Sequence, residues 1–183
     1  MLYPFDLKQV GLVLGLALIL GHAVALAYGG TTQKTLIAFP RSRVAGIFLV
    51  AAAAAWSLYL VLTMDLGEFS GLRNPMAIGV VVGAILAAIY VPEFLAVRAL
   101  GMLALLAAEP ILGAAFLRPE TSKVLAVLLA YAWILGGLFW VGMPWLLRDQ
   151  IQWATKSSGR FQTIAATGLV YGIAITACAL MFW

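Results

Sequence analysis

The chain has 183 residues, of which 64% are apolar and 10% are charged. Soluble proteins average about 45–50% apolar and about 25% charged residues, so lipid is the solvent for most of this chain and a soluble catalytic or binding domain is excluded. The net charge of +4 does not indicate nucleic-acid binding, because the eleven Lys and Arg residues are scattered along the chain.

The hydropathy pattern predicts an all-α, polytopic integral membrane protein with about six transmembrane helices in one bundle. A helix needs about 20 apolar residues to cross a bilayer, and five uncharged stretches are long enough. A sixth apolar stretch, 94–117, carries Arg98 and Glu109. We therefore predict one transmembrane domain over residues 1–183, with helices at about 7–28, 44–64, 75–90, 92–117, 121–147 and 161–182.

The first predicted helix, 7–28, contains the only histidine, His22. Its apolar run resembles a secretory signal but is longer than the usual core of about 7–15 residues, so we expect a retained helix. Gly29 and Gly30 favour termination of this helix through positive φ angles. His22 has three possible roles: a hydrogen-bonded structural side chain, a proton relay, or a single ligand for haem or a pigment.

Three pairs of glycines have the Gly-x-x-x-Gly spacing that allows two membrane helices to approach closely. They fall in the predicted helices 7–28, 75–90 and 161–182. The pairs are Gly11 with Gly15, Gly79 with Gly83, and Gly168 with Gly172. We expect them to pack the bundle internally, with contact to a partner subunit as the alternative.

The start of the fourth predicted helix, 92–117, carries two charged residues. Pro92 suits the first turn of a helix, and Glu93 beside it would complement the positive end of the helix dipole at the membrane interface. Arg98 is close enough to this end to extend to a lipid headgroup phosphate. If the helix enters the membrane earlier, Arg98 must pair with a carboxylate or line a polar cavity.

Glu109 is the most informative residue, because it lies about 12 Å from the helix end at Leu117, too deep for a carboxylate to reach water easily. Three interpretations remain open: a shorter span in which Pro110 starts a new segment, a structural charge paired with a partner, or part of an ion or proton pathway. Arg98 and His22 are the other pathway candidates. On the pathway hypothesis, Glu109→Gln abolishes transport and leaves assembly intact.

The predicted helix 121–147 contains Pro144, which is expected to kink its last turn. The following connection, 148–160, is typical of an interfacial segment. There Arg148 would stay in water while Trp153 enters the headgroup region, so both are candidate lipid contacts.

Membrane orientation follows from the basic residues. With six helices, the first, third and fifth connections hold seven Lys and Arg residues, and the opposite side holds four. The positive-inside rule then predicts that both termini are non-cytoplasmic, with the plasma (inner) membrane as the expected location.

No motif in the sequence specifies a reaction, a catalytic residue or a metal site. We therefore expect a structural or accessory subunit of a larger membrane assembly, without catalysis of its own, in contact with lipids and with other membrane subunits or a second copy. The alternative is a small transporter or channel with an ion or proton path near Glu109 and His22. An intramembrane enzyme acting on lipid is disfavoured, because no nucleophile is placed beside a base.

Overall fold

The computed structural model describes residue 3 and residues 5–183. In this part of the chain every regular element is helical, and six helices are long and apolar enough to span a membrane, which confirms the all-α polytopic fold. The spanning helices are α1 (Leu7–Ala27), α3 (Arg43–Thr63), α4 (Arg73–Tyr90), α5 (Leu95–Ala115), α6 (Val124–Gly142) and α8 (Ser158–Met181), and the shorter ones are α2 (Gly29–Ala38) and α7 (Trp145–Thr155).

The ends of the six spans fall on two faces of the bundle. We call the first the terminal face, because α1 begins there and α8 ends there. On it Arg118 forms an ion pair with Asp6, and the Trp183 indole donates a hydrogen bond to Ser122 Oγ at 2.7 Å. These contacts join the start of α1 to the end of α5, and the end of α8 to the start of α6.

We call the opposite side the amphipathic face, because α2 and α7 lie there in contact with each other. At about 15–17 Å, neither is long enough to cross a hydrocarbon core of about 30 Å. The short turns Phe39–Arg41 and 91–94 lie on the same face. Two of the predicted connections, 29–43 and 148–160, are therefore largely helical.

Side-chain caps fix where two of the spans begin. The Asp6 carboxylate accepts a hydrogen bond from the Leu7 amide, and Gln9 completes a capping box with it. Ser42 caps α3 by accepting a hydrogen bond from the Ala45 amide at 3.2 Å. Such caps satisfy amides that have no partner within the helix.

The first helix ends at the predicted position by a different means. Tyr28 breaks the helix with φ −118° and ψ 40°, whereas Gly29 and Gly30 have no positive φ and begin α2. The glycines therefore do not provide the left-handed cap that their positions suggested.

The start of α5 and the end of α6 also differ from the predicted bounds. α5 begins at Leu95 rather than Pro92, because Phe94 adopts a left-handed conformation with φ 55°. Glu93 therefore lies in the preceding turn and is not an acidic residue of the first helical turn. α6 ends at Gly142, since Pro144 lacks the amide needed to continue the helix and instead precedes the first residue of α7.

Two pairs of helices approach closely through glycines. In α1 and α8, a Cβ added to Gly172 would lie 3.0 Å from the carbonyl oxygen of Gly15. In α5 and α6, a Cβ on either Gly101 or Gly137 would lie 2.8 Å from the carbonyl oxygen of the other. α3 packs against α5, and α4 packs mainly against α3.

The close contact between α1 and α8 predicts that Gly15→Ala lowers the melting temperature of the purified protein. The added methyl group would overlap Thr176 and the backbone of Gly172, and overpacking of this kind costs about 1–3 kcal/mol. Gly21→Ala is the matched control in the same helix, because nothing lies within 4 Å of its Cβ position. Equal melting temperatures for the two variants would contradict this contact.

Candidate functional site

A groove opens between α4 and α5, with α3 at its base, because α3 packs against both helices. Its volume is about 420 Å³. The walls are mostly small and apolar, and we call the space the Arg98 groove after its charged member. Its lining includes Val50, Ala53, Ala54 and Ser57 of α3, Gly79, Gly83, Ala84 and Ala87 of α4, and Leu95, Arg98, Ala99 and Met102 of α5.

Small residues on α4 keep this groove open. Gly79 and Gly83 both line it, and nothing lies within 4 Å of a Cβ added to either. The second glycine pair thus borders an open space, unlike Gly15 and Gly172, whose backbones meet. No residue of α4 is buried, although each of the other five spans contains buried residues.

Arg98 is the fourth residue of α5, about 5 Å along the axis from the start of the helix. Its Nη1 donates a hydrogen bond of 2.7 Å to the carbonyl oxygen of Val141. That carbonyl belongs to the last turn of α6, where backbone oxygens have no partner within the helix and the helix dipole is negative. The guanidinium is therefore held by the end of a neighbouring helix rather than by a carboxylate.

The other edge of the guanidinium makes no hydrogen bond through Nε to the described residues. Nε of Arg98 is buried and has no hydrogen-bond partner among the described residues. Nε and Nη2 together present two parallel N–H donors, a geometry that matches a carboxylate or phosphate. Of the described residues that line the groove, Arg98 alone is charged. The site thus combines an apolar slot with a guanidinium edge whose Nε has no partner among the described residues.

Glu109 lies within an unbroken α5, six residues before the helix ends at Ala115. Pro110 is accommodated inside the helix, so it does not start a new segment. The half-buried carboxylate reaches along its own helix toward Gly113 and borders a shallow groove that includes Ile134 of α6. Its Oε2 is buried without a hydrogen-bond partner among the described residues. This groove and the Arg98 groove share no lining residue.

His22 is held inside the α1–α8 contact. Its Nδ1 donates a hydrogen bond of 2.7 Å to the carbonyl oxygen of Leu18, one turn earlier. Its Nε2 faces Gly168 of α8, where a Cβ would lie only 2.1 Å away. Gly168 therefore makes room for the imidazole, a role that the glycine spacing did not reveal.

His22 and Glu109 lie in opposite halves of the bundle. His22 is about 8 Å from the end of α1 on the amphipathic face, and Glu109 is about 9 Å from the end of α5 on the terminal face. The fold therefore does not bring the two pathway candidates together.

The interfacial candidates lie on the amphipathic face. Arg148 is in the first turn of α7 and pairs with Asp149 at 2.7 Å. Trp153 is 59% exposed on the same helix, and the guanidinium of Arg160 stacks over its ring at 4.5 Å. Glu93, in the turn before α5, borders a cavity that Arg148 also lines.

Comparison of the chain with protein-family models, with curated proteins and with solved structures found no match. Within the described residues, no group of three or more His, Cys, Asp or Glu side chains is placed to hold a metal ion.

Sequence reasoning identified Arg98 but not the groove or the partner of the arginine. The carbonyl of Val141 is 43 residues away along the chain and carries no sequence signal of its own. The one available signal was the high content of Ala and Gly in the second and third predicted spans. Such small side chains leave unfilled space between helices, but the sequence does not show where that space is.

Proposed function

We propose that this chain binds a single-chain anionic amphiphile, such as a long-chain carboxylate, in the Arg98 groove. The supporting observation is the free Nε edge of Arg98, set in an otherwise apolar slot. The anion would accept hydrogen bonds from this edge, and the hydrocarbon chain would lie along the small residues of α3 and α4.

The size of the groove favours a chain-like ligand. A volume of about 420 Å³ lies within the range of about 300–1,000 Å³ that is usual for small-molecule sites. A transmembrane helix is about 10–12 Å wide with its side chains, so it would not fit without moving α4 away. An extended hydrocarbon chain needs no such movement.

Charge, rather than hydrophobicity, would give this site its selectivity. A chain that leaves the bilayer for the groove exchanges one apolar environment for another, so little hydrophobic free energy is gained. A buried N–H without a partner costs about 1–3 kcal/mol, and an anion would remove that cost. Charge-assisted hydrogen bonds are also stronger in a medium of low dielectric constant.

A second candidate function, the accessory subunit expected from the sequence, is favoured by α4. This helix is apolar enough to span a membrane, yet none of its residues is buried. Its outer surface includes Ile78, Ile85 and Ile89, each more than half exposed. We propose that this surface is where another membrane subunit, or a second copy, would pack.

The charges of the two faces support a membrane orientation. The amphipathic face and its adjoining helix ends carry seven basic and two acidic residues: Lys34, Arg41, Arg43, Arg98, Arg148, Lys156 and Arg160, with Glu93 and Asp149. The terminal face carries four of each: Lys8, Arg73, Arg118 and Lys123, with Asp6, Asp65, Glu68 and Glu120. By the positive-inside rule, we propose that the amphipathic face is cytoplasmic and both termini are on the opposite side of the plasma (inner) membrane.

For the groove, Gly83→Leu and Arg98→Gln are each expected to weaken oleate binding about tenfold or more. The leucine would fill open space in the groove, and the glutamine would remove the charged two-donor edge, where a charge-assisted hydrogen bond accounts for roughly a tenfold change in affinity. The measurement is equilibrium binding of labelled oleate to the protein in nanodiscs of neutral lipid.

Two variants outside the groove serve as controls for this experiment. Gly21→Leu also adds a side chain to open space, and Arg73→Gln removes an arginine that likewise donates to a backbone carbonyl, that of Met64. Both should bind oleate like the parent protein. Equal affinity of the parent for oleate and for oleyl alcohol would overturn the assignment of Arg98 as the anion-binding group.

For the subunit proposal, a photoreactive residue at Ile85 is expected to form one discrete crosslinked product in native membranes. The same residue at Val13, which is 69% exposed on α1, is the control and should crosslink only to lipid. The mass of the product distinguishes a second copy from a different subunit. Lipid adducts alone at both positions would contradict packing of a partner on α4.

For orientation, alkaline phosphatase fused after Trp183 is expected to be active, and green fluorescent protein fused at the same point is expected to be dark. Both results follow if the terminal face is outside the cytoplasm. A fluorescent fusion with inactive phosphatase would reverse the proposed orientation.

A further inference from the structure

Three arginines from three separate elements meet on the amphipathic face. Arg41 ends the turn Phe39–Arg41, Arg43 is the first residue of α3, and Arg148 lies in the first turn of α7. Together with the turn Pro92–Phe94 they line a space of about 540 Å³, which we call the basic cavity. None of its residues lines the Arg98 groove.

Helix ends add to the positive potential at this place. α3, α5 and α7 all begin on the amphipathic face, and a helix start carries roughly half a positive elementary charge. None of the three has an acidic residue in its first turn, and α5 and α7 begin without a side-chain cap. Arg43 and Arg148 therefore occupy positions where an anion, rather than a cation, is favoured.

The nearby carboxylates do not balance this charge. Asp149 pairs with Arg148, and Glu93 borders the cavity, so the three arginines exceed these two acids by one positive charge before the helix ends are counted. The position of Arg148 is fixed further by the ring of Phe94, whose centroid is 5.9 Å from its guanidinium. Arg148 thus adds a fixed charge, but its Nε and Nη2 already donate to Asp149, so an added anion would bind chiefly through Arg41 and Arg43.

Backbone strain coincides with the same cavity. Phe94 has φ 55°, a left-handed conformation that costs a non-glycine residue on the order of 1 kcal/mol or more. Strained residues of this kind are found more often at ligand sites than elsewhere. Here the conformation places Phe94 beside Arg148 in the turn that borders the cavity.

From this arrangement we infer that the basic cavity binds the phosphate group of an anionic membrane lipid on the amphipathic face. Arginine pairs with phosphate through two parallel hydrogen bonds, which Arg41 and Arg43 can each supply, while Arg148 adds its charge. Glu93 disfavours a second phosphate at the rim but can accept a hydrogen bond from a headgroup hydroxyl. A phosphodiester headgroup that carries a hydroxyl, such as that of phosphatidylglycerol, fits both features.

The location of the cavity favours a membrane lipid over a soluble phosphate. Its walls come from the starts of α3 and α7 and from the turn before α5, the level at which spanning helices meet the headgroup region. α7 lies at the same level and carries exposed Trp153, a residue type enriched at membrane interfaces.

The test compares two pairs of charge-removing substitutions in the full-length protein. Arg41→Gln with Arg43→Gln removes two cavity arginines, and Lys34→Gln with Lys156→Gln removes two cations from the same face outside the cavity. The probe is phosphatidylglycerol, with phosphatidylcholine as the uncharged reference, and retained lipid is counted by native mass spectrometry during titration. Ionic strength of about 1 M reduces the screening length to about 3 Å, so long-range attraction is suppressed.

The arginine pair is expected to weaken phosphatidylglycerol binding on the order of a hundredfold, because each lost charge-assisted contact accounts for about tenfold. The lysine pair should bind like the parent protein. If both double variants weakened phosphatidylglycerol binding equally, the general positive charge of the face would explain binding and the basic cavity would not be a specific site. Saturable binding of inorganic phosphate as tight as that of phosphatidylglycerol would overturn the lipid assignment.

The same variants separate this inference from the proposed function of the groove. Oleate binding should survive loss of Arg41 and Arg43, and phosphatidylglycerol binding should survive Arg98→Gln. Loss of phosphatidylglycerol binding in Arg98→Gln would contradict the inference that the basic cavity binds lipid independently of the Arg98 groove.

Discussion

Close backbone contact at glycine residues determines how this bundle is built. In lipid, apolar side chains gain little by leaving one apolar environment for another, so helices associate where their surfaces fit closely. Gly15 with Gly172, and Gly101 with Gly137, bring two helix pairs to backbone distance. Gly79 and Gly83 have the same spacing but no opposing surface, and α4 consequently stays apart from α5. The groove is thus a consequence of which glycines find partners.

The two proposed anion sites differ in depth and therefore in the kind of anion they suit. Arg98 lies about 5 Å inside the start of α5, among small apolar side chains, where a compact carboxylate on a hydrocarbon chain fits. The basic cavity lies at the helix starts and is bordered by three arginines, which suits a phosphate that remains close to water. Both sites are on the side of the bundle that carries most of the positive charge, so a single membrane leaflet would supply both ligands.

The sequence was sufficient to predict the spans, because a run of about 20 apolar residues directly indicates a segment that is surrounded by lipid rather than by water. The sequence was also sufficient to predict that the two faces carry unequal charge, because the number of spans decides on which face each connection lies. Tertiary contacts were not predictable in the same way. Gly101 is not part of a Gly-x-x-x-Gly motif, the partner of Arg98 is a backbone carbonyl, and Gly168 accommodates His22 rather than a helix.

Local signals failed where tertiary packing or a neighbouring residue overrode them. Gly29 and Gly30 are strong helix terminators, yet the chain continues into α2 after a break at Tyr28. Pro92 is a good first residue for a helix, but the left-handed Phe94 delays the helix to Leu95. The candidate site was therefore only half predictable: its cation could be read from the sequence, whereas the open space beside it depends on where α4 does not pack.

Closely packed and loosely packed helices form opposite walls of the groove, which bears on how the proposed ligand would bind. α5 is the most buried span, with 39% of its apolar window inside the bundle, whereas none of the α4 window is buried. The proposed recognition group, Arg98, is thus on the most buried span, where a fixed side chain would lose little entropy on binding. The opposite wall belongs to α4, in which no residue is buried. A ligand in the membrane plane could enter by displacing α4 slightly, without breaking the glycine contacts of α1 with α8 or of α5 with α6.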